Sequence, residues 1–295
     1  MPDDGFQRSE KQGIAYYTCR ALDQVPGLSH AFSTRHGGVS PLPDSALNLS
    51  CVSWDSPQNV EENRRRFLSA LALRPEALAT VCQIHSSEFH IINGAPHKWN
   101  PATPGDALIT QSPELALAVQ LADCFPILAV DPVTRAIACI HAGWRGTLGG
   151  ILPSTLSGMR RNFGCDPPQL LVAIGPGIRA CCMEVGPDLS GAFEQACPGA
   201  AISRPHPSNP GKHLLDLPKA LRLQAAAAGI PEKNVFDLGM CTRCRTDEFF
   251  SYRAEGTHAG RMMAVISWRS RESGEKQPAL ELLDAAYISA APFSC

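Results

Sequence analysis

Cys124 and His141 are the residues whose types and spacing first suggest chemistry in this sequence. Phe125 to Val130 (FPILAV) and Ala136 to His141 (AIACIH) are apolar runs that flank Asp131-Pro132-Val133-Thr134, a segment with the composition of a turn. Folding that hairpin about its turn sets Cys124 opposite His141 at the open end of the ladder. Opposed side chains share a face, with Cβ atoms about 5 Å apart. A thiolate and an imidazole placed so could share one metal at roughly 2.3 and 2.1 Å. The same adjacency suits a cysteine nucleophile with a histidine base, and a packed thiol beside a hydrogen-bonded histidine would need neither.

A third donor must come from elsewhere in the chain. The candidate is His85, in Gln83-Ile84-His85-Ser86, where an apolar stretch gives way to polar residues. Spacing alone does not fix its reach. Three protein donors with one open position are the pattern of a catalytic zinc, which polarises an oxygen or activates water. A fourth donor, Cys82 or Asp123, would instead close the tetrahedron, as in a metal-stabilised binding protein. Asp123 could also orient a ligand or a water from beside the thiol.

The elements that must position these residues are short. Glu88 to Asn93, Ala107 to Thr110, Leu115 to Val119 and Leu170 to Ile174 read as strands. Pro126 places its strand at an edge or at a bulge near its beginning. Ser56 to Leu73 has helical apolar spacing. Asp216, followed by Pro218, reads as the cap of a helix that Gly229 and Pro231 stop. Thr147 to Phe163 is a further helix, with Pro153 expected to kink it or move its start. Pro198 to Lys212 reads as a long surface loop. Strands and helices do not alternate regularly, so the expected class is α+β with mixed or antiparallel sheets. Residues 1–13 are expected to be a frayed tail, 14–270 one catalytic domain, and 271–295 a polar linker with a last helix near Ala279 to Ala286.

The 295 residues are 44% hydrophobic and 18% charged, with a formal net charge of −2. That balance gives no basic footprint for nucleic acid. No apolar run approaches the ~20 residues needed to span a bilayer, and the acidic, polar start is not a secretory signal. The expectation is a cytoplasmic protein, monomer or homodimer, without a membrane or nucleic-acid partner. Its 12 cysteines are then thiols, mostly small buried hydrophobes.

Six blocks occur in order: Phe32-Ser33-Thr34-Arg35-His36-Gly37-Gly38-Val39-Ser40, Gln83-Ile84-His85, Ala122-Asp123-Cys124-Phe125-Pro126, His141-Ala142-Gly143-Trp144-Arg145-Gly146, Ile174-Gly175-Pro176-Gly177-Ile178 and Phe249-Phe250-Ser251-Tyr252-Arg253. Together they resemble the laccase-domain family, first labelled multicopper polyphenol oxidoreductases. It is now described as zinc-dependent purine nucleoside phosphorylases and includes a bacterial peptidoglycan editing factor. The resemblance runs from about Phe32 to Ile266. It implies sheets packed between helices in a cysteine-hydrolase-like sandwich, with His85, Cys124 and His141 as zinc ligands and catalytic residues. It also implies phosphorolysis of adenosine, inosine and S-methyl-5'-thioadenosine, with adenosine deamination beside it. Zinc would orient or activate the attacking oxygen, phosphate in one reaction and water in the other. Arg35 and Arg145 are the expected phosphate partners. Where relatives commonly carry Tyr, Met183 follows Cys182, which leaves substrate preference open.

Other signals are weaker. Only 9 His are present and none is spaced His-x-His, too few pairs for a multicopper cluster, so laccase chemistry is not expected. Copper could still replace zinc, since divalent copper binds such donors more tightly. The editing-factor members keep a second enzyme in view, a Cys124–His141 amidase acting on a cell-wall precursor. Gly175 to Ala180 formally fits a dinucleotide fingerprint, but no helix opens there and a tight loop lining the site is expected instead. Cys241-Thr242-Arg243-Cys244 lacks a second pair for a four-cysteine zinc site. These two are expected to be structural or to line the pocket, and the adjacent Cys181 and Cys182 to be packing residues. His36 could border the site by virtue of its loop.

Overall fold

A computed structural model describes residues 5–94 and 100–269. The expected linker and helix in 271–295 lie outside the described residues. Among those residues the strands form two six-stranded sheets and one of three strands. The first sheet runs in the order Phe6–Lys11, Ile14–Cys19, Leu28–Ser33, Met262–Trp268, Ala116–Leu121, Leu78–Ala79. The second runs Val235–Asp237, Leu171–Ile174, Phe125–Val130, Ile137–Ala142, Ala107–Thr110, Phe89–Ile91. Both are largely antiparallel, with parallel pairs only at the edges formed by Leu78–Ala79, Val235–Asp237 and Phe89–Ile91.

Burial explains the layering. Phe32, Val119, Met262 and Trp268 of the first sheet meet Leu108, Leu128, Val130 and Cys139 of the second in one apolar cluster. The outer face of the first sheet packs Ala118 and Val265 against Phe67 and Leu68 of the helix Pro57–Ala70. The outer face of the second packs Ile109, Ile127 and Ile140 against helices Ile151–Phe163, Pro187–Ala196 and Leu217–Ala227. The order helix, sheet, sheet, helix therefore agrees with the expected mixed sheets between helices. Central strands covered on both faces read as unbroken apolar runs, which is why FPILAV and IACIHA do not alternate.

Local chemistry sets the helix ends. Ser56 accepts a hydrogen bond from the Asn59 N–H at 3.1 Å, and Asp216 accepts one from the Lys219 N–H at 3.1 Å, both as N-caps. The segment expected as one helix from Thr147 to Phe163 is two, Trp144–Leu148 and Ile151–Phe163, separated by Gly150 at φ 78. Pro153 sits in the first turn of the second, where its missing N–H has no intrahelical acceptor.

Several expectations are corrected. Phe6–Lys11, expected to be frayed, is an edge strand fully registered on Ile14–Cys19, because Phe6 buries its ring against Phe32. Pro126 lies in an interior strand, although at its second residue as expected. Within the expected loop Pro198 to Lys212, Ser203–Pro205 pairs with His213–Leu215. Cys19, Cys139 and Cys165 are buried as anticipated, but Cys51, Cys82, Cys181 and Cys244 are exposed.

The first sheet contains a pH-sensitive group. His30 is buried, and its Nε2 accepts the Cys19 backbone N–H at 2.8 Å. The proton therefore sits on Nδ1, 3.9 Å from Asp23. Burial pushes the imidazole pKa down from 6.5 to about 4. The unfolded chain then binds the proton first, so the contribution is complete above about pH 6.5 and is lost as pH falls toward 4. The loss should be on the order of 3 kcal/mol. Urea unfolding at pH 7 and pH 4 should show this increment in the native chain. A His30→Gln variant, which keeps an acceptor, should not show it; an equal drop in both chains would exclude His30 as the source.

Candidate metal centre

The hairpin register differs by two residues from one that sets Cys124 directly opposite His141. His141 pairs with Pro126 and Ala142 with Phe125, so Cys124 lies just beyond the ladder and reaches His141 on a diagonal rather than directly across. The diagonal preserves the shared face, because side chains two residues apart on a strand point the same way. The His85, Cys124 and His141 donor atoms all lie within 4.8 Å of one another. Cys124 Sγ is 3.8 Å from His85 Nε2, and the two imidazoles stand edge to face with centroids 4.9 Å apart. The structure thus brings together all three residues singled out in the sequence, including His85, whose reach spacing left open.

His85 arrives on a strained turn. Its φ is 60, in the left-handed region that non-glycine residues rarely adopt. Gln83 holds the approach by exchanging two hydrogen bonds with the Gln120 backbone, at 2.7 and 2.8 Å. The turn itself is held by Asp106, a residue that sequence reasoning missed. Asp106 Oδ1 accepts the His85 N–H at 3.0 Å, and Oδ2 accepts both the Ser86 N–H and the Ser86 hydroxyl. Oδ1 also accepts from His141 Nδ1 at 2.8 Å. That contact keeps a proton on Nδ1 and turns Nε2 toward the cluster, so Nε2 is the nitrogen that would give up its proton to a metal, the usual role of a carboxylate behind a metal-bound histidine. Burial opposes the Asp106 charge, yet the bonds from His141 and Ser86 outweigh it and hold its pKa down at about 2.

Cys124 follows Asp123, whose own φ is 85. Asp123 is neither a donor to the cluster nor free to close it. Its carboxylate accepts from the Thr242 hydroxyl, the Ser251 hydroxyl and the Arg253 N–H at 2.6, 2.7 and 2.6 Å. Cys82 lines the same cavity without joining the donor cluster. Burial disfavours the Cys124 thiolate, but His141 and His85 beside it more than compensate and bring its pKa down to about 6. His141 is raised to about 9: burial lowers it, while the Cys124 thiolate and Asp106 raise it further. The pair therefore favours the thiolate, the form that binds metal or attacks an electrophile.

The donor set fits zinc: one thiolate and two imidazoles match the N/S preference of the ion, and Asp106 supports one of the imidazoles. The cluster opens into a cavity of about 540 Å³ walled by Trp144, Ile178, Met183, Leu217 and Tyr252, with Arg253 and Arg261 on its lining. A larger depression of about 710 Å³ over Ser87 to His90 and Ser154 to Arg161 contains no such donor cluster, so volume alone does not choose the site.

Neither arginine expected to bind phosphate lines this cavity. Arg35 is buried, donates to the Thr246 and Phe249 carbonyls and to Glu255, and stacks over Phe250. It clamps the Phe32–Ser40 block to the Phe249–Arg253 block. Arg145 is exposed and stacks on Trp144, with its guanidinium 4.2 Å from the ring centroid. His36 is exposed and contacts the Asp247 carbonyl, away from the cavity. The cavity cations are Arg253 and Arg261, and the first lay unremarked in the FFSYR block. Arg261 is half-buried and donates to the Ala259 and Gly260 carbonyls. Among the described residues no carboxylate lies within ion-pairing distance of it. Burial accordingly lowers its pKa.

Residues 29–269 match the family described as "Multi-copper polyphenol oxidoreductase laccase". The chain belongs to this family. A protein of Deinococcus radiodurans named purine nucleoside phosphorylase is 39% identical over 254 residues, covering 85% of this chain and 94% of the relative. The Escherichia coli purine nucleoside phosphorylase YfiH is 34% identical, covering 82% and 95%. The crystal structure of YlmD from Geobacillus stearothermophilus superposes with a TM-score of 0.81 at 33% identity, over 90% of this chain and all of that one.

Proposed function

We propose that the protein is a zinc-dependent purine nucleoside phosphorylase acting on adenosine, inosine and S-methyl-5'-thioadenosine, with adenosine deamination as a side activity. The observation that carries this reading is a three-donor cluster, His85, Cys124 and His141, facing a cavity that also holds Arg261, a half-buried arginine without a carboxylate partner among the described residues. Bound to those donors, zinc supplies a Lewis acid at one end of the cavity. The chain's own residues do the rest. Asp106 fixes the His141 tautomer, and Arg261 and Arg253 supply positive charge for a phosphate dianion. A charge that has lost water without gaining a carboxylate is best stabilised by an anionic ligand. Trp144, Tyr252 and Met183 form faces against which a purine can stack. In phosphorolysis a phosphate oxygen bonds to the ribose anomeric carbon while the glycosidic C–N bond breaks. The proton of the hydrogen phosphate ends on the departing base, and the products are the free base and ribose 1-phosphate, or its 5-methylthio analogue from S-methyl-5'-thioadenosine.

A second reading is favoured by one specific observation. Asp106, His141 and Cys124 are arranged as acid, base and thiol, with the thiol ionised, the constellation of a cysteine amidase. His85 separates the two readings, because it adds a metal donor that a thiol hydrolase does not require.

The test is to load purified protein with zinc and incubate it with inosine, with and without phosphate. Hypoxanthine and ribose 1-phosphate should form only with phosphate. Cys124→Ser should abolish their formation and lower bound zinc, and Arg261→Gln should raise the phosphate KM at least tenfold while retaining zinc. If zinc-loaded protein releases no base from any of the three nucleosides, the phosphorylase reading fails and the amidase replaces it.

A further inference from the structure

The structure contains a second convergence of donors that the catalytic reading does not use. Cys181, Cys182, Cys241 and Cys244 have all four sulfurs within 4.8 Å of one another. Cys244 Sγ lies 3.5 Å from Cys181 Sγ and 3.4 Å from Cys182 Sγ. Four sulfurs placed about 2.3 Å from a common centre, as in a structural zinc site, stand about 3.8 Å apart along the edges of a tetrahedron. The observed spacing is close to that figure. From these positions we infer that the chain holds a second, structural zinc ion on Cys181, Cys182, Cys241 and Cys244.

The sequence shows only half of this site. Cys241-Thr242-Arg243-Cys244 has the spacing of a zinc half-site but no second such pair, and the missing half is an adjacent Cys-Cys some sixty residues earlier. The fold joins them. Cys182 N–H and Met183 N–H both donate to the Arg179 carbonyl at 2.8 Å, forming a tight turn. Arg245 N–H donates to the Cys241 carbonyl at 3.0 Å, forming a second. Between the turns, Gly177 bridges to Cys241, and Thr242 N–H donates to the Gly177 carbonyl at 3.1 Å.

Packing does not account for the cluster, because Cys181 and Cys244 are exposed and gain little burial from meeting. All four are free thiols in the structure, and a single disulfide would use two of the sulfurs and leave no reason for the other two to converge. N–H groups also point at the sulfurs: Arg179 N–H lies 3.4 Å from Cys241 Sγ, and Arg243 Nη1 lies 3.6 Å from Cys182 Sγ. Such donors offset the charge of a tetrathiolate centre, which is −2 with a divalent ion. The consequence is mechanical. One turn follows Ile178 and ends in Met183, both cavity walls. The other carries Thr242, which holds the Asp123 carboxylate beside Cys124. The ion would staple together the two loops that support the catalytic thiol, and it requires no particular reaction at that thiol.

Protein purified under reducing conditions and titrated with zinc should take up two equivalents per chain. Cys124→Ser and the exposed-site variant Cys244→Ser should each take up one. Cobalt loaded into Cys124→Ser should give the visible bands and intense sulfur charge-transfer absorption of a tetrahedral four-thiolate centre. This readout does not depend on whether the Cys244 variant folds or on nucleoside activity. No metal bound by Cys124→Ser, or a cobalt spectrum without four-thiolate character, would overturn the inference. So would an intact mass short of two or four hydrogens with the lost thiols mapped to these cysteines.

Discussion

Asp106→Asn should weaken zinc binding about 10- to 100-fold and reduce base release at least as much, although the substituted residue touches neither substrate nor metal. The carboxylate is fully buried and accepts from five donors: His141 Nδ1, the backbone N–H groups of Ile84, His85 and Ser86, and the Ser86 hydroxyl. An amide has only one acceptor oxygen. If its NH₂ replaces Oδ2, it faces the Ser86 N–H, donor against donor. If it replaces Oδ1, it donates to His141 Nδ1, and the imidazole must carry its proton on Nε2, the nitrogen the site needs unprotonated. Either arrangement harms the centre. The left-handed turn at His85 also loses its tether, so a destabilisation of roughly 2–4 kcal/mol should accompany the loss of metal. Zinc affinity measured by competition with a chromophoric chelator, alongside urea unfolding, checks both parts. An unchanged zinc affinity would show that Asp106 does not set the His141 tautomer.

Gly143→Ala should remove metal and activity while leaving the fold nearly intact. Gly143 has φ −79, a conformation alanine adopts without strain, so the backbone does not demand glycine. Space does. A Cβ there would lie 2.9 Å from Cys124 Sγ and 3.0 Å from His85 Cδ2, both inside van der Waals contact, so two of the three donors would be displaced. Catalytic groups moved by about 1 Å commonly lose two orders of magnitude in rate. Bound zinc should fall well below one equivalent at that site. Gly191→Ala serves as the control, since nothing lies within 4 Å of its Cβ position and alanine favours its helix by up to about 1 kcal/mol. Full zinc occupancy in Gly143→Ala would mean the donors tolerate more displacement than this packing allows. The same crowding explains the next glycine of the block: a Cβ at Gly146 would meet the Ser86 carbonyl at 2.8 Å.

The balance between what was legible and what was hidden follows the range of the forces involved. Caps, turns and apolar runs act over a few residues, so the helix beginning at Ser56, the cap at Asp216, the hairpin around Asp131 to Thr134 and the candidate donor pair Cys124 and His141 could be read directly. A register offset of two residues preserves the face of every side chain, which is why Cys124 and His141 share a face although His141 pairs with Pro126. His85 was a candidate by local character, and only the Gln83–Gln120 and Asp106 contacts bring it to the hairpin.

Charge roles could not be read this way. Arg35 and Arg261 are equivalent on paper. Glu255 and two carbonyls occupy the first, while among the described residues the second has no carboxylate partner and faces the cavity. Asp106, at the foot of an ordinary strand, had no sequence signal beyond being acidic. The four clustered cysteines were split between two loops, far apart in the chain, that meet at the Gly177–Cys241 bridge and the contacts around it. The sequence alone therefore determined which local units form and the chemical kind of the first donor pair. Tertiary structure decided the third donor, the carboxylate that orients the second, the cations left for an anion and the second sulfur cluster. Each of these is a contact between segments far apart in the chain, and residue spacing carries no information about which distant segments packing will join.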